Sequence, residues 1–82
     1  MEQYDFTNQL QKLGLKIRKL RSEKGFSQES FADACGLDRT YVGGVERGER
    51  NLGFKNLLRI SDALDVEPSE LLANISAKSE GK

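Results

Sequence analysis

Histidine is absent from the 82 residues, and cysteine occurs once. The shortage leaves a zinc site almost no ligands to draw on and removes the usual base from nucleophilic catalysis. No metal, no cofactor and no enzymatic activity are therefore expected. The lone Cys35 cannot close an internal disulfide, which fits a reducing cytoplasm, and it reads as a small buried hydrophobe. No apolar run approaches the roughly 20 residues of a membrane span, and no signal peptide is evident. With 37% hydrophobic residues and one proline, the chain should form one small domain. A chain of this size buries only about 60% of its unfolded surface, so a partner would add useful stability.

Net charge is also missing: 13 basic residues balance 13 acidic ones. The charges are nonetheless segregated. Lys12, Lys16, Arg18, Lys19, Arg21 and Lys24 face only Glu23 within their stretch, whereas Asp62, Asp65, Glu67 and Glu70 follow one another without a base. One end can approach phosphate while the other is repelled by it. The plainer alternative is a solvated basic helix face.

What the sequence does contain is concentrated between Ser27 and Gly48, SQESFADACGLDRTYVGGVERG. Phe31, Ala32, Cys35, Val42 and Val45 fall on helical spacing, with Leu37 between the two runs. Ser27 and Asp38 are good N-caps, since each side-chain oxygen can accept from an unpaired first-turn amide. Phe26 with Phe31, and Leu37 with Val42, have the spacing of hydrophobic staples. Gly36 supplies the positive φ of a sharp turn, and the small Ala32 lets the second helix cross closely. The pattern is a helix-turn-helix.

Around it, Leu10, Leu13, Ile17 and Leu20 mark a first helix. Gly14 interrupts it at a cost of up to about 1 kcal/mol, through close packing or simple tolerance. Gly25 is placed to end this helix. Residues 1–7 read as an N-terminal arm, although Phe6 can extend the next apolar face. Gly53 opens a fourth helix carrying Phe54, Leu57, Leu58, Ile60, Ala63 and Leu64. Asp65 and Val66 turn the chain, and Pro68 starts a fifth helix that ends near Asn74. The folded domain should span 8–75, with 76–82 a polar tail. The core should gather Leu13, Ile17, Leu20, Phe31, Cys35, Leu37, Val42, Val45, Leu57, Ile60 and Leu71.

Arg39 and Thr40 lie in the first turn of the third helix, where such helices meet base edges. The Arg39 fork can span a guanine O6 and N7; equally, it can neutralise phosphate or pair with Asp38 or Glu49. Gly43 and Gly44 cost the helix about 2 kcal/mol together. Either they let the helix approach the groove closely, which makes Gly44 a base contact, or they give loop side chains room. With few direct reading groups, DNA shape can supply part of the specificity. Arg47 and Lys55 add charge nearby.

These residues carry a resemblance. The stretch resembles the helix-turn-helix of the phage-repressor and Xre family of bacterial regulators, with Gln28, Ala32, Gly36, Val42, Val45, Glu46 and Gly48 in register. LDRTYVGGVERGERN is most similar to the controller proteins of restriction-modification systems. The likeness covers roughly residues 10 to 73 and implies an all-α, five-helix, lambda-repressor-like domain with its motif at helices 2 and 3. It implies that Gln28, Arg50 and Asn51 grip the DNA backbone, and that Tyr41 faces it, although the Tyr41 ring can instead enter the core. It implies a structural ion pair between Arg21 and Glu46. Leu52 and Gly53 depart from the family loop, which often reads Asn-Pro-Ser.

Leu58, Val66, Leu72 and Ile75 have no obvious internal partner, and in the family helices four and five commonly form the dimer surface. The implied protein is a cytoplasmic homodimer on a near-palindromic double-stranded operator, acting at its own promoter and timing a restriction gene. No membrane partner and no small-molecule effector are expected. A phage- or plasmid-type repressor, an antitoxin, and a module that docks protein through the same scaffold are the alternatives.

Overall fold

The computed structural model describes residues 5–76, and the five expected helices follow one another in it. They are α1 (Thr7–Glu23), α2 (Gln28–Cys35), α3 (Arg39–Glu46), α4 (Phe54–Leu64) and α5 (Pro68–Leu72), with no strand among the described residues. The first starts earlier than the apolar spacing implies. Asp5 Oδ1 accepts from the Thr7 amide at 2.9 Å, so Thr7 is helical and the expected arm of residues 1–7 overlaps α1. Residues 1–4 and 77–82, which hold the rest of that arm and nearly all of the tail, lie outside the described residues.

The junctions follow from local chemistry. Gly25 leaves α1 at φ +83°, and Gly36 ends α2 at φ +71°, a region that costs any L side chain energy. Ser27 accepts from the Ser30 amide, and Ser30 Oγ accepts from the Ser27 amide, both at 3.0 Å, a reciprocal capping box. The Phe26 and Phe31 rings meet at 5.4 Å, which makes the first staple. Asp38 accepts from the Thr40 amide at 2.9 Å and opens α3. From α4, Arg59 reaches back to the Gly36 carbonyl at 3.2 Å and clasps the turn.

The helix α3 lies against both α1 and α2, while α4 packs on α2 and α5, and α5 returns to α1. Ile17, Phe31, Ala32, Cys35, Val42, Val45, Ile60, Leu64 and Leu71 are buried where these surfaces meet. Leu13, Leu20, Leu37 and Leu57, expected inside, sit half-buried at the rim. Leu64, one turn beyond Ile60, and the small Ala32 take full burial instead. Burial pushes the Cys35 thiol up to about 11, so it is an inert packing group. α5 stops at Leu72, short of Asn74, because Lys16 Nζ captures the carbonyls of Glu70 at 3.3 Å and Ala73 at 2.6 Å.

Gly14 settles its own ambiguity in favour of close packing. A Cβ there would lie 2.5 Å from the backbone oxygens of both Val45 and Glu46, so α1 crosses the end of α3 backbone to backbone. In a free helix, Gly14→Ala would gain about 1 kcal/mol. Here the added methyl has no room, and overpacking should turn that gain into a net loss of about 1–3 kcal/mol. Denaturant melting checks the sign: a more stable variant would show that the two helices do not cross this closely.

Candidate nucleic-acid interface

Arg39 and Thr40 occupy the first turn of α3 with their side chains exposed. Behind them, Val42 and Val45 are buried and anchor the helix to the core. The first turn therefore stands out from the domain on a rigid support, the geometry a groove-entering helix needs.

The two glycines also resolve. A Cβ on Gly43 would lie 3.2 Å from Arg47 Nη1 and 3.6 Å from Gln28 Oε1, and one on Gly44 would lie 2.9 Å from Arg50 Cγ. They make room for side chains arriving from the loop and from α2. The expected base contact at Gly44 is accordingly revised: Gly44 is buried, and the surface presented at that point belongs to Arg50. Arg50 also stands over the Tyr41 ring, its guanidinium carbon 5.7 Å from the ring centroid. Tyr41 is half-buried against the core, and its hydroxyl accepts from Asn56 Nδ2 at 3.2 Å.

Arg21 and Glu46 form the expected pair. Arg21 Nε donates to Glu46 Oε2 at 2.6 Å and Nη2 to Oε1 at 3.1 Å, while Nη1 reaches the Phe26 carbonyl at 2.9 Å. The side chains are 12% and 2% exposed, which puts this pair well out of solvent. Gln28 is a third member that sequence spacing does not reveal: its Nε2 donates to Glu46 Oε1 at 3.0 Å. One amide hydrogen of Gln28 is thus committed internally. The other hydrogen and Oε1 are left for outside contacts.

The remaining candidates separate. Arg47, Arg50, Asn51 and Lys55 are exposed, with Arg47 paired to Glu49 at 3.1 Å. Asn51 faces the other way from Arg50: it lines an apolar groove with Phe6, Leu10, Leu13 and Leu72. Much of the basic stretch on α1 has internal work, since Lys16 caps α5, Lys19 lies 3.9 Å from Glu23 and Arg21 holds Glu46. Basic character facing outward from the motif thus rests chiefly on Arg39, Arg47, Arg50 and Lys55.

The expected dimer residues also divide. Leu72 and Ile75 border the groove with Phe6, Leu10 and Leu13, and it continues past Asn51 to Leu52, Phe54 and Leu57. Phe54 is 71% exposed and Leu72 47%, a large apolar area for water to cover. Leu58 and Val66 instead line a separate depression with Asp62 and Glu67, and Val66 packs on its own core. Helical spacing marks Leu10, Leu13 and Phe54 as apolar positions of their helices, with Leu13 expected in the core, and gives no sign of their place on the groove. Among the described residues, no group of three or more His, Cys, Asp or Glu side chains could hold a metal, and no helix is long and apolar enough to cross a membrane.

Comparison with known proteins follows the same lines. The helix-turn-helix family profile matches residues 17–71. The control protein C.BamHI of Bacillus amyloliquefaciens is 46% identical over 68 residues, which cover 80% of this chain and 84% of that protein. The crystal structure of the restriction-modification controller protein C.AhdI from Aeromonas hydrophila superposes with a TM-score of 0.74 at 56% identity, over 76% of this chain and 94% of that one. The controller C.Esp1396I, solved as a tetramer with its natural 35 base-pair operator, gives a TM-score of 0.72 at 40% identity, over 82% and 88% of the two chains.

Because Glu46 is buried with both partners attached, removing one partner strands a charge. Arg21→Met or Glu46→Leu alone should each cost about 3–5 kcal/mol, whereas the double variant should lose far less than the sum. Chemical denaturation of the four proteins gives the coupling. A value near zero would mean that the pair does not hold α3 to α1.

Proposed function

Because this chain belongs to the helix-turn-helix family and, within it, to the control proteins of restriction-modification systems, we propose that it is a sequence-specific DNA-binding regulator. In this reading it works in the cytoplasm as a non-enzymatic homodimer on its own promoter and times the neighbouring restriction gene. The observation that carries the reading is the exposed Arg39–Thr40 turn, presented by a helix that Glu46 locks to α1 and α2.

Arg39 reads a base edge and Thr40 supports it. Arg47, Arg50 and Lys55 neutralise phosphates on the flank, and the outward atoms of Gln28 add a backbone contact at the start of α2. Asn51 lies beside the apolar groove, on the loop that would join the phosphate-binding arginines to the proposed dimer contact. Two copies meet through the groove of Phe6, Leu10, Leu13, Phe54, Leu72 and Ile75, which removes that apolar surface from water. The acidic residues Asp62, Asp65, Glu67 and Glu70 stay away from phosphate.

Selecting bound duplexes from a randomised pool tests the whole reading, with a near-palindromic site as the expected product. Its half-sites should lie about one DNA turn, 34–36 Å, apart. On that site Arg39→Ala should cost about 1–3 kcal/mol and relax discrimination at one position of each half-site. Arg39→Lys should not restore it, since a point charge lacks the planar fork. Equal weakening on all sequences would reassign Arg39 to phosphate.

Leu72→Glu should shift the protein to monomer in sedimentation with its helical content kept, and DNA affinity should fall with it. A variant that stays dimeric at micromolar concentration would place the interface elsewhere.

A further inference from the structure

Arg50 is held on two sides before any DNA is present. Its guanidinium stands over the Tyr41 ring, and its Cγ and Nε pass within 2.9 and 3.3 Å of where a Gly44 Cβ would be. Tyr41 is itself fixed, half-buried against the core, with its hydroxyl tied to α4 through Asn56. From this geometry we propose that Tyr41 is a positioning residue: it acts on DNA through its ring, which with the bare backbone of Gly44 presets Arg50 on the binding face.

The physical basis is entropy. An arginine beside a loop samples many rotamers, and fixing it on binding costs affinity. A cation seated over an aromatic face loses part of that freedom in advance. The Gly44 backbone completes the seat because no methyl intrudes, which gives a physical reason for a helix-weakening glycine in the middle of α3. The hydroxyl has a different task, since the Asn56 amide already donates to it and thereby orients the ring.

The proposal rests on the DNA-binding reading, and its test separates the two. Affinity is measured as a function of salt on a mixed-sequence 30-base-pair duplex, a probe that needs no known operator. Wild-type protein with no affinity for the duplex at low salt would overturn the DNA-binding reading and this proposal with it. Given binding, Arg50→Ala should lower the salt slope by about one. Tyr41→Leu should weaken binding roughly two- to tenfold in the wild type and leave the Arg50→Ala protein unaffected. Tyr41→Phe, which keeps the ring, should bind within about twofold of wild type. Gly44→Ala should weaken binding only when Arg50 is present, because the added methyl displaces the Arg50 stem.

A readout without DNA stands beside these. The Arg50 side-chain protons should be shifted upfield by the Tyr41 ring current in wild type and Tyr41→Phe, and should return to ordinary positions in Tyr41→Leu. Equal losses from Tyr41→Phe and Tyr41→Leu would give the work to the hydroxyl and overturn the proposal. So would a Tyr41→Leu or Gly44→Ala loss that persists without Arg50, or Arg50 protons without a ring-current shift.

Discussion

The Glu46 carboxylate is the point on which this domain turns. It closes the last turn of α3, lies almost entirely out of water, and accepts from Arg21 on α1 and Gln28 on α2. A carboxylate in such a place must be fully paired or it becomes a liability. That demand fixes three helices relative to one another at once. A rotation of α3 would break it, since Arg21 spans both oxygens and Gln28 also donates to Oε1. Gly14 makes the arrangement possible by letting the α1 backbone come down onto the carbonyls of Val45 and Glu46. The ion pair and the missing side chain are two halves of one joint.

What the joint orients is a short helix with an unusual division of labour. The middle of α3 bears no side chains of its own at Gly43 and Gly44, and arginines from beyond its end fold back over it. The centre of the surface that would meet DNA is therefore assembled from two chain segments, the first turn of the helix and the loop that follows it, with Gln28 of α2 and Lys55 of α4 at its flanks. Such a surface can change its chemistry at Arg47 or Arg50 without altering the helix that supports it.

Features set by neighbours along the chain are legible in the order of the residues alone. Ser27 and Asp38 cap as their chemistry predicts, Phe26 meets Phe31, and Gly36 takes the positive φ that no other residue adopts cheaply. Features set by distant neighbours are not. Nothing in the spacing says that Gln28 will join Glu46, that Lys16 will leave the basic stretch to end α5, or that Gly44 will be roofed by Arg50. Leu64 and Leu13 exchange places between core and rim for the same reason: helical periodicity gives a face, but the crossing of helices decides how deep each part of that face sits. The Arg21–Glu46 pair is available only through resemblance, because 25 residues separate its members.

The tether between Lys16 and the end of α5 bears on the order in which the protein becomes competent. α5 is five residues long, far below the length at which an isolated helix persists in water. It holds its shape because Leu71 is buried in the core and the Lys16 ammonium on α1 donates to the carbonyls of Glu70 and Ala73 at its end. It is the last of the described helices in chain order, and its packing surface is complete only once both α4 and α1 are in place. Leu72, on the apolar groove proposed as the dimer contact, is thus set in place only on a finished subunit. A regulator that measures its own abundance would then count completed molecules, and nascent or misfolded chains would not register.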